Sequence, residues 1–309
     1  MNDEGVLVTG GAGFIGSHLC EALLARGERV TVLDNFDPVY DPGRKRAQLP
    51  DGVRLVEGCV TDSAALDDAL TGVGSVFHLA ARAGVRPSLV DAAPYVHTNV
   101  VGTVALLQAM RDHGVFRMAF ASSSSVYGAR RGVAFREDDA ADQPASPYAA
   151  SKRAGELFCV AAAASWGLNV ACVRLFTVYG PRQRPEMAFS RFLQQMRSGE
   201  AVTVYGDGAS ARDYTYVSDA VAGLIAARDA ASGARVVNIA GGTVTPLIEA
   251  VQLLATALGV SARVAHLPDQ PGDVPETRAD LQVASRWLGW SPQVSMTEGL
   301  RRFAESPER

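Results

Sequence analysis

"TGGAGFIGSH", residues 9–18, follows the apolar run "VLVTG" and opens a helical stretch over 15–26. Gly10, Gly13 and Gly16 therefore stand at a strand-to-helix turn. Residues without a side chain permit a tight turn there and let a pyrophosphate approach the helix N-terminal amides and the positive end of the helix dipole. A glycine pattern alone is weak. This one is answered by Asp34, at the end of the second apolar run "RVTVLD". That carboxylate suits the adenosine ribose hydroxyls and repels a 2′-phosphate, which favours NAD over NADP. Asp62, in "GCVTD", has two readings, a neighbour of the adenine or the N-cap of a helix.

Outward from this turn, short apolar runs alternate with helical stretches: "VRLVEG" then 64–70, "SVFHLA" then 99–113, "RMAFASS", an alanine-rich helix over 148–166, and "NVACVRLF". The alternation predicts an α/β fold, a Rossmann-type doubly wound parallel sheet built of right-handed βαβ units. After residue 176 the texture changes to turn-rich segments around a helix over 188–197, which predicts a smaller C-terminal α/β lobe for substrate. "VVNIAGG" reads as a return to the sheet. The expected domains are 1–175 for NAD, with a return near 215–242, and 176–309 mainly for substrate. No internal repeat is evident.

The chain has 309 residues, 48% hydrophobic and 20% charged, with a net charge of −4. That is the composition of a soluble globule with no general attraction to nucleic acid or an anionic membrane. Cys20, Cys59, Cys159 and Cys172 lack the spacing of a zinc site or a disulfide framework, so a reducing, cytoplasmic setting is expected and no metal. The first residues run straight into a strand and no apolar run is long enough to span a bilayer, so neither signal peptide nor membrane anchor is expected.

Only two lysines occur, Lys45 and Lys152; arginine supplies the remaining basic side chains. Lys152 follows Tyr148 by four residues, so on a helix the two share a face. "FASSSSVYG", residues 120–128, leaves a strand with four hydroxyls directed to the carboxyl edge of the sheet, where ligands bind in such folds. A free tyrosine titrates near 10, so a neighbouring ammonium and a serine hydrogen bond are needed to make it a base at neutral pH. On this reading Lys152 lowers the tyrosine pKa and holds the nicotinamide ribose, and Tyr148 removes a hydroxyl proton as hydride leaves the same carbon.

With "HLAA", "YAASK", "FTVYGPRQRPEMA", "RDYTYV" and "QPGDVPETRAD" in order after the glycine turn, the chain resembles the extended short-chain dehydrogenase/reductases, and among them the nucleotide-sugar epimerases. The resemblance implies the serine role for Ser123, a sugar-facing role for Ser124 and Ser125, a place near the cofactor for Asn99, and a grip on the nucleotide diphosphate and uridine ribose for Arg212 and Asp273. Along these motifs Phe14, Ile15, Asn35, Leu79, Ala80 and Ala81 are further cofactor candidates, and Met187 a substrate candidate. Cys59 departs from the pattern, since relatives often carry aspartate there.

No carboxylate stands at 123–125, where dehydratases and decarboxylases of the family carry one, so oxidation at C4, rotation and hydride return is the expected reaction. Thr177, followed by "VYGPRQRP", and Gln270 and "DNFDPVYDP" resemble UDP-glucuronate 4-epimerases. Thr177 and the serine run then donate to the C5 carboxylate, with Arg184 or Arg86 supplying positive charge. The alternatives are a UDP-glucose or UDP-N-acetylglucosamine 4-epimerase and a non-catalytic NAD-binding sensor. The helices over 99–113 and 148–166 carry apolar residues on more than one face, Val104, Leu107, Met110, Leu157, Val160 and Ala164 among them, which suggests a homodimer.

Overall fold

The computed structural model describes residues 4–130, 132–268 and 274–307. The chain runs β1 (Gly5–Thr9), α1 (Phe14–Ala25), β2 (Val30–Asp34), α2 (Pro42–Ala47), β3 (Arg54–Glu57), α3 (Ser63–Leu70), β4 (Val73–His78), α4 (Val85–Val90) and α5 (Ala93–Tyr95). A π-helical segment, Val96–Val101, leads into α6 (Gly102–Asp112), β5 (Arg117–Ser123), a 3₁₀ turn at Ser124–Tyr127, α7 (Pro147–Trp166) and β6 (Asn169–Leu175). Then come β7 (Val178–Tyr179), α8 (Ala188–Arg197), β8 (Val202–Tyr205), β9 (Ala211–Asp213), β10 (Thr215–Tyr216), α9 (Val217–Asp229) and β11 (Ala234–Ile239). Last are β12 (Val244–Pro246), α10 (Leu247–Leu258), β13 (Val264–Leu267), α11 (Gln282–Leu288) and α12 (Met296–Glu305).

Seven strands form one parallel sheet in the order β3-β2-β1-β4-β5-β6-β11. The order reverses between β1 and β4, and a crevice opens there at the carboxyl ends. All five residues of β1 are buried, because helices cover both faces of the sheet and leave no side for polar residues. Leu19 and Leu23 of α1 and Ala220 and Leu224 of α9 cover one face, and that core continues into the smaller lobe through Phe189, Leu254 and Leu300. Leu66, Leu106, Met110, Cys159 and Ala162, from α3, α6 and α7, cover the other. The lobe's own strands pair two by two: β7 with β10, β8 with β13, and β9 with β12.

One expectation changes in detail. The helix expected over 99–113 starts earlier, as the π-helical segment, where the Thr103 hydroxyl donates to the Asn99 carbonyl at 2.6 Å and takes an acceptor from the regular ladder. Leu107 and Met110 belong to the core on the sheet side, and Leu107 also lines a surface groove with Val104, Phe158 and Trp166. The exposed apolar side chains on this side are Val101, Leu157, Phe158 and Val160.

Helix α7 begins where Ser146 caps the Ala149 amide at 3.1 Å with Pro147 in the first turn, and it stops at Gly167 in the left-handed region. Gly155 lets this helix lie directly on β5: a Cβ there would stand 2.4 Å from the Phe120 ring. Helix propensity favours Gly155→Ala by about 1 kcal/mol, but overpacking against a buried ring costs about 1–3 kcal/mol. A lowered melting temperature is therefore expected for Gly155→Ala; a raised one in a thermal melt would contradict this packing.

Candidate active site

The glycine turn is built by contact. A Cβ on Gly16 would lie 2.2 Å from the Gly10 carbonyl oxygen, and one on Gly10, at φ +71°, would lie 2.7 Å from the Ala80 amide nitrogen. The turn is thus wedged against "HLAA": the Leu79 amide donates to the Thr9 carbonyl and the Ala80 amide to the Thr9 hydroxyl. Gly13, by contrast, meets only the Gly10 oxygen, at 3.2 Å, so the space above it is open. Gly13 is also the N-cap of α1 and has no side chain to cap the first turn, where Phe14, Ile15 and Gly16 follow. An open glycine cradle with uncapped amides fits a pyrophosphate, and the residues present therefore suit NAD. Asp34 accepts from the Ala12 amide at 3.0 Å and the Phe36 amide at 2.9 Å, which ties the second strand to the turn. Burial pushes its carboxyl up, against those two amides and Lys45.

The neighbourhood of Asp34 contains a feature with no sequence signal beyond rarity. Lys45 is buried; its ammonium donates to the Asp37 carbonyl and lies 4.5 Å from the centre of the Tyr40 ring. Arg82 pairs with Asp37 at 2.8 Å. Asn35 is exposed and accepts from the Asp37 amide. Asp62 is exposed and caps α3 by accepting from the Ala64 amide at 3.0 Å, so of its two readings the cap is the one seen. Asn99 is buried and fully engaged: it accepts from the Arg82 amide and donates to the Arg82 carbonyl and the Ser151 hydroxyl. It braces α7 against the loop after β4.

At the other end of the crevice Tyr148 enters the first turn of α7. Burial pushes its phenol up; a hydrogen bond with Ser123 and the nearby Arg184 guanidinium pull it down. Tyr95 meets its ring edge-on, 6.2 Å between centroids. Ser125 donates to the Ser123 hydroxyl at 2.9 Å, and Ser124 stands between them in the 3₁₀ turn. Ser122 is not part of this group: strand alternation turns it to the other face, where it donates to Glu156. Ser123 and Ser125 are therefore the hydroxyls of the run that the structure links to Tyr148. Thr177 lies two residues beyond Leu175, the register partner of Ser123, and so stands at the same edge.

Lys152 is buried, and its ammonium donates to the Ala121 carbonyl at 2.8 Å, 5.3 Å from the centre of the Phe120 ring. Arg184, one of the two arginines expected near the sugar carboxylate, lies close enough to the Tyr148 phenol to pull its pKa down. Arg184 pairs with Glu186 at 3.2 Å and donates to the Met187 sulfur at 3.5 Å. Arg86 lies over the Tyr205 ring, 5.3 Å from its centre, and so spans from the loop after β4 to the smaller lobe. Arg212 is on β9 and donates to the Ala211 carbonyl. Asp273 and Gln270 lie outside the described residues. Tyr95 was missed in sequence, although it precedes Asn99 by four residues and so shares its helical face.

Burial pushes the Lys152 ammonium down to about 8 from 10.5. A base whose folded pKa is depressed costs stability in full below the folded value, and the cost fades as pH rises to the unfolded value. Lys152→Met in cofactor-stripped protein is expected to gain about 1–2 kcal/mol at pH 7, after allowing for the Ala121 carbonyl left without a donor. Urea unfolding at pH 7 and again near 10.5 checks this; the gain shrinks at the higher pH, and a loss at pH 7 would contradict it.

A family model described as the NAD dependent epimerase/dehydratase family matches residues 6–240. The chain is 40% identical to UDP-glucuronate 4-epimerase 3 of Arabidopsis thaliana over 97% of its own length and 75% of the relative's. To the UDP-glucuronate 4-epimerase of Thermodesulfobacterium geofontis it is 38% identical, over 96% and 94% of the two chains. It superposes with a TM-score of 0.91, at 36% identity, on the crystal structure of UDP-glucuronic acid 4-epimerase from Bacillus cereus in complex with UDP-glucuronic acid and NAD, covering 97% of this chain and 98% of that one. A match that runs through the whole parallel sheet admits one conclusion: the chain belongs to the NAD dependent epimerase/dehydratase family.

Proposed function

We propose that the chain is a UDP-glucuronate 4-epimerase, interconverting UDP-glucuronate and UDP-galacturonate by transient oxidation at C4. The observation that carries this reading is a crevice edge made of hydroxyls without a carboxylate, Ser123 to Ser125 with Thr177 beside them, next to Tyr148. The curated relatives and the Bacillus cereus complex, which bear that activity in their names, support it.

When bound, NAD supplies reversible hydride transfer at C4. The chain's part is proton transfer and restraint. Tyr148 takes the O4 proton and returns it, Ser123 holds the phenol in line, and Arg184 favours its ionised form. Lys152 is the candidate for the nicotinamide ribose, and Gly10, Gly13, Gly16 and Asp34 for the pyrophosphate and adenosine ribose. The smaller lobe, with Arg212, receives the UDP moiety. The 4-keto intermediate is a β-keto acid, which loses CO₂ when the bond to the carboxylate aligns with the carbonyl π system. Hydrogen bonds from Thr177 and the serine run hold that group out of alignment while the ring turns.

The enzyme is further proposed to act as a homodimer through the exposed side of α6 and α7, where Leu157 is 53% and Val160 45% exposed beside a groove of about 170 Å³ lined by Val104, Phe158 and Trp166. Four free cysteines suit a reducing, cytoplasmic compartment. No helix among the described residues is long and apolar enough to cross a membrane.

The deciding experiment is incubation with a panel of UDP-sugars, without added NAD, and product identification by NMR. Conversion of UDP-glucuronate to UDP-galacturonate is expected; turnover of neutral UDP-sugars alone would replace this reading with a UDP-glucose or UDP-N-acetylglucosamine 4-epimerase, and no turnover would favour an NAD sensor. Tyr148→Phe lowers turnover about a hundredfold or more with the fold kept. Thr177→Ala raises the ratio of 4-keto-pentose to epimer in mass spectra of the products while total rate falls; normal rate and selectivity would remove Thr177 from the carboxylate site.

A further inference from the structure

Behind the catalytic strand end lies a buried charged group that the reaction as described leaves unused. Glu156 is 0% and Arg174 1% exposed. Arg174, on β6, donates Nε and Nη2 to the two Glu156 oxygens at 2.8 Å each. Ser122 of β5 donates to the same carboxylate at 2.6 Å, and Arg153 at 2.8 Å. Four donors from three elements thus converge on one carboxylate of α7. That side chain lies one helical turn beyond Lys152 and two beyond Tyr148. Ser122 precedes Ser123, so the residue that anchors Glu156 adjoins the residue that meets the phenol.

Packing alone does not call for charge here. A carboxylate and a guanidinium taken out of water each carry a penalty of about several kcal/mol, and apolar side chains of similar volume commonly replace such pairs without loss of stability. The Arg174 Nη1 is also buried without a hydrogen-bond partner. What charge supplies is direction and field. We propose that Glu156, held by Arg174 and Ser122, is a positioning residue for the epimerase reaction: it clamps α7 to the ends of β5 and β6, sets Tyr148 against Ser123, and keeps Lys152 an ammonium ion. This rests on the assignment of Tyr148 and Lys152 to the reaction.

The surroundings of Lys152 agree. Burial lowers its pKa, and Cys159 and Glu156 on its own helix raise it. From β4 it faces His78, which burial and Lys152 itself hold neutral, down to about 3. From β5 it meets only the Ala121 carbonyl and the Phe120 ring. On β6, Cys172 hydrogen-bonds with Cys159, and Arg174 is spent on Glu156. Among the described residues Glu156 is thus the carboxylate that acts on Lys152, one helical turn further along α7.

Two lysines in the chain make the test direct, since ¹³C labelling of the lysine ε-carbons yields two resonances, with Lys45→Arg identifying the Lys152 signal. Three variants are compared with wild type: Glu156→Gln, the double change Glu156→Met with Arg174→Met, and Tyr148→Phe. The expected result is a double variant that unfolds in urea close to wild type, a Lys152 signal that titrates below the wild-type value in both Glu156 variants, and kcat lowered about tenfold or more with KM changed far less. Should the double variant not fold, Glu156→Gln, which keeps the side-chain shape, carries the titration and the kinetics. A wild-type Lys152 titration and kcat in a folded Glu156 variant would overturn the proposal. Failure of the underlying assignment shows differently, as an active Tyr148→Phe enzyme, and overturns both.

Discussion

The close approach of backbone to backbone at the glycine turn is the constraint on which the rest of the molecule depends. With 2.2 Å between a Gly16 Cβ and the Gly10 oxygen, any side chain at 16 would lift α1 off the turn. Helix α1 would then lose its place on β1, and the Asp34 bond to Ala12 would stretch. The same turn is wedged by Ala80 at the end of β4, so it also fixes where the sheet order reverses and hence where the crevice lies. The cofactor end is therefore a consequence of packing without side chains and requires no special loop chemistry.

The crevice is then closed by contacts from the smaller lobe. His18 of α1 bonds with the Pro181 carbonyl at 2.9 Å, and Arg182 reaches back to Glu21 at 2.6 Å. Arg182 does this from the left-handed region, at φ +64°, an arrangement with a cost for a residue bearing a side chain. These contacts anchor the segment that carries Arg184 and Met187 over the first helix, so the smaller lobe is referenced to the glycine turn itself. The shared apolar core from α1 through α9 to α12 serves the same end.

Charge in the interior follows a division of labour. Both lysines are buried and both are pushed down by desolvation, Lys45 beside Asp34 and Lys152 beside the serine strand. His78, central in the sheet, is kept neutral by burial and by the Lys152 ammonium, and its ring bonds with the hydroxyls of Thr9 and Thr103, so it braces β1 against α6. The guanidinium acting on the Tyr148 phenol comes from the far lobe. The electrostatic setting of the Tyr148 phenol is thus tied to how the two lobes sit together.

Much of this was legible in one dimension. Periodicity of two and of 3.6 reports which faces are buried, and the strands β1, β2 and β5 and the helices α7 and α8 are local enough to show it. The glycine spacing, Asp34, and the four-residue step from Tyr148 to Lys152 are likewise local, and they pointed to a dinucleotide fold and to Tyr148 as the candidate base. Tertiary structure decided what depends on partners distant in sequence. Lys152 turns to the Ala121 carbonyl because the chain places a strand end 31 residues away beneath it. Ser122 leaves the hydroxyl group because a buried Glu156 waits on the other face of the strand. The apolar residues of α6 span more than one face in a helical projection, and only the assembled layers say that Leu106 and Met110 meet the core. Sequence alone determined the kind of chemistry, through short-range spacing; side-chain direction and electrostatic coupling were decided by contacts that exist only once β4, β5, β6 and the smaller lobe converge.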